Sequence, residues 1–159
     1  MILLKLILIS SIGLIFYQDL KDRQVYWFLF PLLGLCSAVL FYNSTLPELF
    51  YVAVGINLIF ISILLTIIFL YTRLKLKSRF TDALGLGDVL LFIGLVFSFS
   101  TLSFLIIFVF SLVFALVLHL IVKRYSKLQS VPLAGYISLF FGLTYISHWM
   151  GLTVSLYAF

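Results

Sequence analysis

Two carboxylates stand out among the few charges of this chain. Asp88 lies in the stretch DALGLGDVLLFIGLVFS, residues 82–98, directly behind Gly85-Leu86-Gly87 and at the mouth of a long apolar run. Asp19 closes another apolar run, in FYQDLKDRQV. An unpaired charge beside hydrocarbon is costly, so each position invites a chemical reading. Two carboxyl groups brought within about 3 Å of one another cannot both ionise cheaply, and they share one proton. The ionised member can then take a proton from water while the protonated member donates to a peptide carbonyl. This device hydrolyses a peptide bond with neither a metal nor a nucleophilic side chain, so no cofactor is expected. Gly85 and Gly87 suit such a site, because glycine allows close backbone approach and unusual dihedrals beside a substrate.

For the two carboxylates to meet, the chain must carry them to one level of one fold. Of its 159 residues 65% are hydrophobic and only 9% charged. A soluble domain carries about 25% charged residues, so this chain cannot cover itself with a water-compatible surface and reads as an integral membrane protein. The net charge of +5 then reflects basic loops facing anionic lipid rather than a nucleic-acid partner. The single cysteine, Cys36, lies inside an apolar run and excludes an internal disulfide framework or a Cys-based zinc site.

A helix needs about 20 apolar residues to cross the hydrocarbon core, with a range of about 17 to 25. Apolar runs fall at 2–18, 26–42, 49–71, 84–99, 103–122 and 131–149. They predict an all-α, polytopic protein of about six transmembrane helices forming a single domain over 1–159. The first run has no A-x-A-like cleavage site and is read as a retained helix rather than a removable signal. The tail from Met150 to Phe159 is too short to cross again.

Basic residues orient these spans. Lys21 and Arg23 follow the first span, Arg73, Lys75, Lys77 and Arg79 the third, and Lys123, Arg124 and Lys127 the fifth. The alternate loops, NSTLPE and SFSTLS, hold no Lys or Arg, and only Lys5 falls on their side. The positive-inside rule makes the basic side cytoplasmic and predicts the N-terminus outside. Asp19, ending span one, and Asp88, starting span four, are then expected at the same cytoplasmic level.

The other acidic residues have ordinary readings. Glu48 caps or precedes span three, and Asp22, between Lys21 and Arg23, is a solvated ion-pair residue. Asp82 suits an N-cap or first-turn role at the start of span four. Asp88 itself could be no more than an N-cap, which would explain the carboxylate but neither the paired glycines nor the matching Asp19. His119 and His148 lack neighbours at ligand spacing and read as packing or interface residues, and Asn57 as an interhelical hydrogen-bond partner.

Gly85-Leu86-Gly87-Asp88 matches the GxGD motif of intramembrane aspartyl proteases, and DALGLGDVLL resembles the E-x-M-G-x-G-D-x-K-L motif of type IV prepilin peptidases. DLKDRQVYW, from Asp19, is similar to that family's D-L-x-x-x-x-I-P-N motif, and VPLAGY, from Val131, more loosely to its I-P-F-G-P. The chain departs from the family pattern at Tyr26, where proline is usual, at Leu90, where lysine is usual, and at Asp82, where glutamate is commoner. It resembles a short form, without the CxxC pairs and N-terminal methyltransferase region of longer members.

The resemblance implies a catalytic dyad of Asp19 and Asp88, with Gly85, Gly87 and Asp82 in support. It further implies a multi-pass protein of the cytoplasmic (inner) membrane that cuts basic leaders from prepilin-like proteins of pilus or type II secretion systems. Other GxGD proteases, presenilin-like or signal-peptide-peptidase-like, share the tetrapeptide but are typically larger. The non-enzymatic alternative is a small transporter or assembly subunit whose carboxylates carry protons or contact a partner. That alternative predicts polar residues at mid-span, which these spans nearly lack.

Overall fold

The computed structural model describes residues 1–76, 84–123, 132–152 and 156–157. Within them the chain is all-helical, with α1 (Ile2–Lys21), α2 (Leu29–Tyr42), α3 (Pro47–Tyr71), α4 (Leu86–Leu95), α5 (Thr101–Lys123) and α6 (Leu133–Trp149). A single π-helical turn, Thr72–Leu76, extends α3. Three helices are long and apolar enough to cross a membrane, Ile2–Lys21, Pro47–Lys75 and Thr101–Val122, which marks the chain as a membrane protein. Only 17% of the most apolar stretch of Pro47–Lys75 is buried within the protein, and its outer face presents Ile56, Ile59, Ile63 and Ile67. Such a face requires an apolar solvent.

The six predicted apolar runs correspond to the six helices, but the run at 84–99 is helical only to Leu95. Beyond it Val96, Ser98, Phe99 and Ser100 remain fully buried in turns. Buried turns need partners for their backbone carbonyls. Asn57 on α3 supplies them, its Nδ2 donating to Val96 O at 3.1 Å and Phe99 O at 3.2 Å. The expected interhelical role of Asn57 is therefore met, and its target is the backbone just beyond α4 rather than another side chain.

Two close crossings place the helices that carry the carboxylates. On α1 the buried residues Leu8, Ser11, Ile12, Ile15 and Asp19 form one stripe at three- and four-residue spacing. That stripe lies along α6, on which α1 packs antiparallel. Lys5 Nζ sits 5.0 Å from the Trp149 ring. A methyl group on Gly142 would fall 2.9 Å from Ile12 Cγ2, and one on Gly135 would fall 3.1 Å from Asp19 Oδ2. Lys5, Ile12 and Asp19 recur every seven residues and meet Trp149, Gly142 and Gly135, which recur at the same interval. The two glycines let the backbones approach, as small residues do between membrane helices. In the second crossing, a methyl on Gly94 of α4 would lie 2.9 Å from Phe30 O of α2, and Gly34 faces Gly94. The α4 helix is thus clamped on α2 by bare backbone.

Aromatic rings fill the space between. Phe92 of α4 meets Phe108 of α5 edge-on at 5.1 Å, and Phe60 of α3 meets Phe108 at 6.0 Å. Phe99 stacks on Phe141 at 5.8 Å and lies 4.8 Å from Tyr145. Edge-on and offset rings add stabilisation beyond their buried area.

Candidate functional site

Asp19 sits in the last turn of α1, and the chain turns sharply just after it. The Asp22 N–H still bonds Gln18 O at 2.9 Å, then Arg23 takes a left-handed φ of 57°. Left-handed backbone costs a non-glycine residue about 1–2 kcal/mol, so the surrounding structure holds this turn in place. The Gln18 side chain helps, its Oε1 accepting the Tyr26 N–H at 3.1 Å. Because Asp19 lies on the buried stripe of α1, its carboxylate points inward and the residue is only 9% exposed.

What it meets is the first turn of α6. The Gly135 N–H donates to Asp19 Oδ2 at 2.6 Å, a short, charge-assisted bond. A helix N-terminus offers unpaired N–H groups and a partial positive charge, and a carboxylate satisfies both. Asp88, in the first turn of α4, accepts the Gly85 N–H at 3.1 Å and is within reach of the Ala134 N–H, next to Gly135. The Asp19 carboxylate stands within electrostatic range of Asp88. Two helix N-termini, those of α4 and α6, thus converge on two carboxylates brought in from sequence-distant helices. Arg23 adds a cation within electrostatic range of Asp19.

Of the residues expected from sequence, Asp19 and Asp88 are brought together with Gly85 beside Asp88. The capping role weighed for Asp88 is also present, as its bond back to Gly85 N–H. Gly85 has φ −66° and ψ 149°, and Gly87 has no left-handed φ. The expected need for unusual dihedrals at these glycines is therefore not met. A methyl on Gly87 would meet only Phe30 Cζ, at an ordinary 3.5 Å. Asp82 lies outside the described residues. Asp22 is exposed, and Glu48 lies inside the first turn of α3, whose N-cap is Leu46 with no side-chain cap bond, rather than capping or preceding the helix. His148 packs edge-on against Tyr157 at 5.4 Å, in keeping with a packing role.

Leu90, which stands where the resembled motif has lysine, lines an apolar groove of about 400 Å³ between α2 and α4. Trp27, Phe30, Ile93 and Phe97 are among the other residues that line it. A lysine there would put its charge against apolar walls, so leucine fits the local surroundings.

Sequence reasoning missed the contribution of the last helix. Ala134, Gly135 and Tyr136 all fall in VPLAGY, but nothing in that stretch says that its N–H groups face Asp19. The signal that could have pointed there is the seven-residue spacing of Gly135 and Gly142, matched by Ile12 and Asp19. Compared with protein-family models, curated proteins and solved structures, the chain finds no match.

Proposed function

We propose that the chain is a membrane-embedded aspartyl endopeptidase that removes basic leader peptides from prepilin-like proteins at the cytoplasmic membrane face. The observation that carries this reading is the pairing of Asp19 and Asp88 across the N-terminus of α6. Two interacting carboxylates hold one proton between them more easily than none or two. The converging helix ends favour the single negative charge that remains. The ionised member takes the proton of an attacking water while the protonated one serves the peptide carbonyl, the division of labour known for carboxylate dyads.

The accompanying topology has the N-terminus outside and six crossings in an inner (cytoplasmic) membrane, with nine of the ten Lys and Arg residues on the cytoplasmic side with the dyad. A basic leader and an ionised dyad are of complementary charge. The motif similarities at Asp19 and at Gly85–Asp88 support this substrate class over other peptide substrates.

Replacing each aspartate by asparagine separates catalysis from capping. Asparagine Oδ1 still accepts the N–H of Gly135 or Gly85, so a purely structural role survives the change. It cannot exchange a proton near neutral pH. Asp19→Asn and Asp88→Asn should each insert normally and fail to shorten a leader-bearing prepilin in membranes. Retained cleavage by either well-expressed variant would overturn the reading.

A further inference from the structure

We propose that the Tyr136 hydroxyl is a third catalytic group of this site, donating a hydrogen bond to the carbonyl oxygen of the peptide being cut. The inference rests on the protease reading above. Tyr136 follows Gly135, whose N–H holds Asp19, in the first turn of α6. Its side chain is 3% exposed, and its Oη is buried with no hydrogen-bond partner among the described residues. The phenol lies within electrostatic range of both Asp19 and Arg23.

A buried hydroxyl without a partner is unfavourable, and buried tyrosines ordinarily find one. Phenylalanine would fill the same space without that cost. The hydroxyl is therefore explained by an acceptor that arrives only with the substrate. At the dyad that acceptor is the carbonyl oxygen on which negative charge develops. As water attacks, its oxygen bonds the carbonyl carbon and its proton passes to the ionised carboxylate. The proton of the other carboxyl group moves to the carbonyl oxygen, giving a neutral gem-diol. Collapse breaks the C–N bond: the dyad's proton goes to the departing nitrogen, a gem-diol hydroxyl returns its proton to the freed carboxylate as the C=O re-forms, and the dyad is left again with one proton. Tyr136 donates a hydrogen bond throughout and loses no proton.

The test is Tyr136→Phe in the full-length protein in membranes or detergent, assayed by cleavage of a leader-bearing prepilin beside wild type and Asp88→Asn. Loss of a donor made useful only in the transition state should lower kcat on the order of 10²-fold and leave KM within about twofold. Affinity for a peptide analogue with a tetrahedral hydroxyl at the cleavage position should fall in step with kcat/KM. The unfolding temperature should be unchanged or higher, because no hydrogen bond of the free protein is lost. A variant with wild-type kcat, or one whose lost activity follows a lower unfolding temperature, overturns the proposal while leaving the dyad intact. If Asp88→Asn also cleaves, or wild type does not, the protease reading itself falls and takes this inference with it.

Discussion

The Gly135 N–H donates to Asp19 Oδ2 across 2.6 Å, though 116 residues separate them in the chain. This bond ties the end of the first helix to the start of the last. It exists because Gly135 has no side chain. A Cβ there would lie 3.1 Å from Asp19 Oδ2 and 3.2 Å from Asp19 Cβ.

Gly135→Ala should therefore displace the Asp19 carboxylate and lower cleavage strongly. Gly87→Ala meets no such obstacle inside the protein, where its nearest neighbour is Phe30 Cζ at 3.5 Å. It should insert and fold normally, and any loss of cleavage then reports a substrate backbone passing close to Gly87. Thermal unfolding and prepilin processing, measured on both variants, separate the two effects. Full activity in Gly87→Ala would remove that glycine from the site.

The dyad makes a quantitative demand. If Asp19 and Asp88 act as one unit, the double Asn variant should be no less active than either single one, because residues working together are not additive. Asp22→Asn, three residues from Asp19 but exposed, should keep most activity. Initial rates of leader removal at matched protein level decide between these outcomes. A double variant clearly slower than both singles would mean that the two carboxylates act separately.

Asn57 provides a stability prediction free of catalysis. Asn57→Leu leaves the carbonyls of Val96 and Phe99 without their donor, a loss of about 1–3 kcal/mol. The unfolding temperature in detergent should drop by several degrees, and α4, with Asp88 at its start, should be the first helix to exchange its amide hydrogens. An unchanged unfolding temperature would mean that other groups satisfy those carbonyls.

Sidedness can be read by accessibility of introduced cysteines in a Cys36→Ala background. Positions Arg23 and Lys75 should react from the cytoplasmic side, and Ser44 and Met150, both exposed, from the other. The motivation is the division of Lys and Arg between alternate loops. Labelling of Arg23 and Lys75 from opposite sides would break the proposed topology.

Much of the molecule is written in local sequence. The apolar runs determine six helices among the described residues, since an apolar segment away from water must bond its backbone internally and the α-helix does so within one segment. The alternation of basic and uncharged loops, with the positions of Asp19 and Asp88 at run ends, was enough to expect both carboxylates at one end of the bundle. Level along the helix axis follows from counting residues.

Lateral placement does not. Which helix lies beside which depends on pairs such as Gly135 with Asp19, Gly142 with Ile12 and Gly94 with Phe30, each a fit between distant segments that composition cannot express. For the same reason the end of α4 was misjudged. Hydropathy reads 84–99 as one helix because its residues are apolar, yet the helix stops at Leu95, where an asparagine on α3 satisfies the carbonyls beyond. The contribution of Ala134, Gly135 and Tyr136 is likewise a product of tertiary packing. A helix N-terminus offers its N–H groups to whatever carboxylate the fold brings there, and only the antiparallel packing of α1 on α6 brings Asp19.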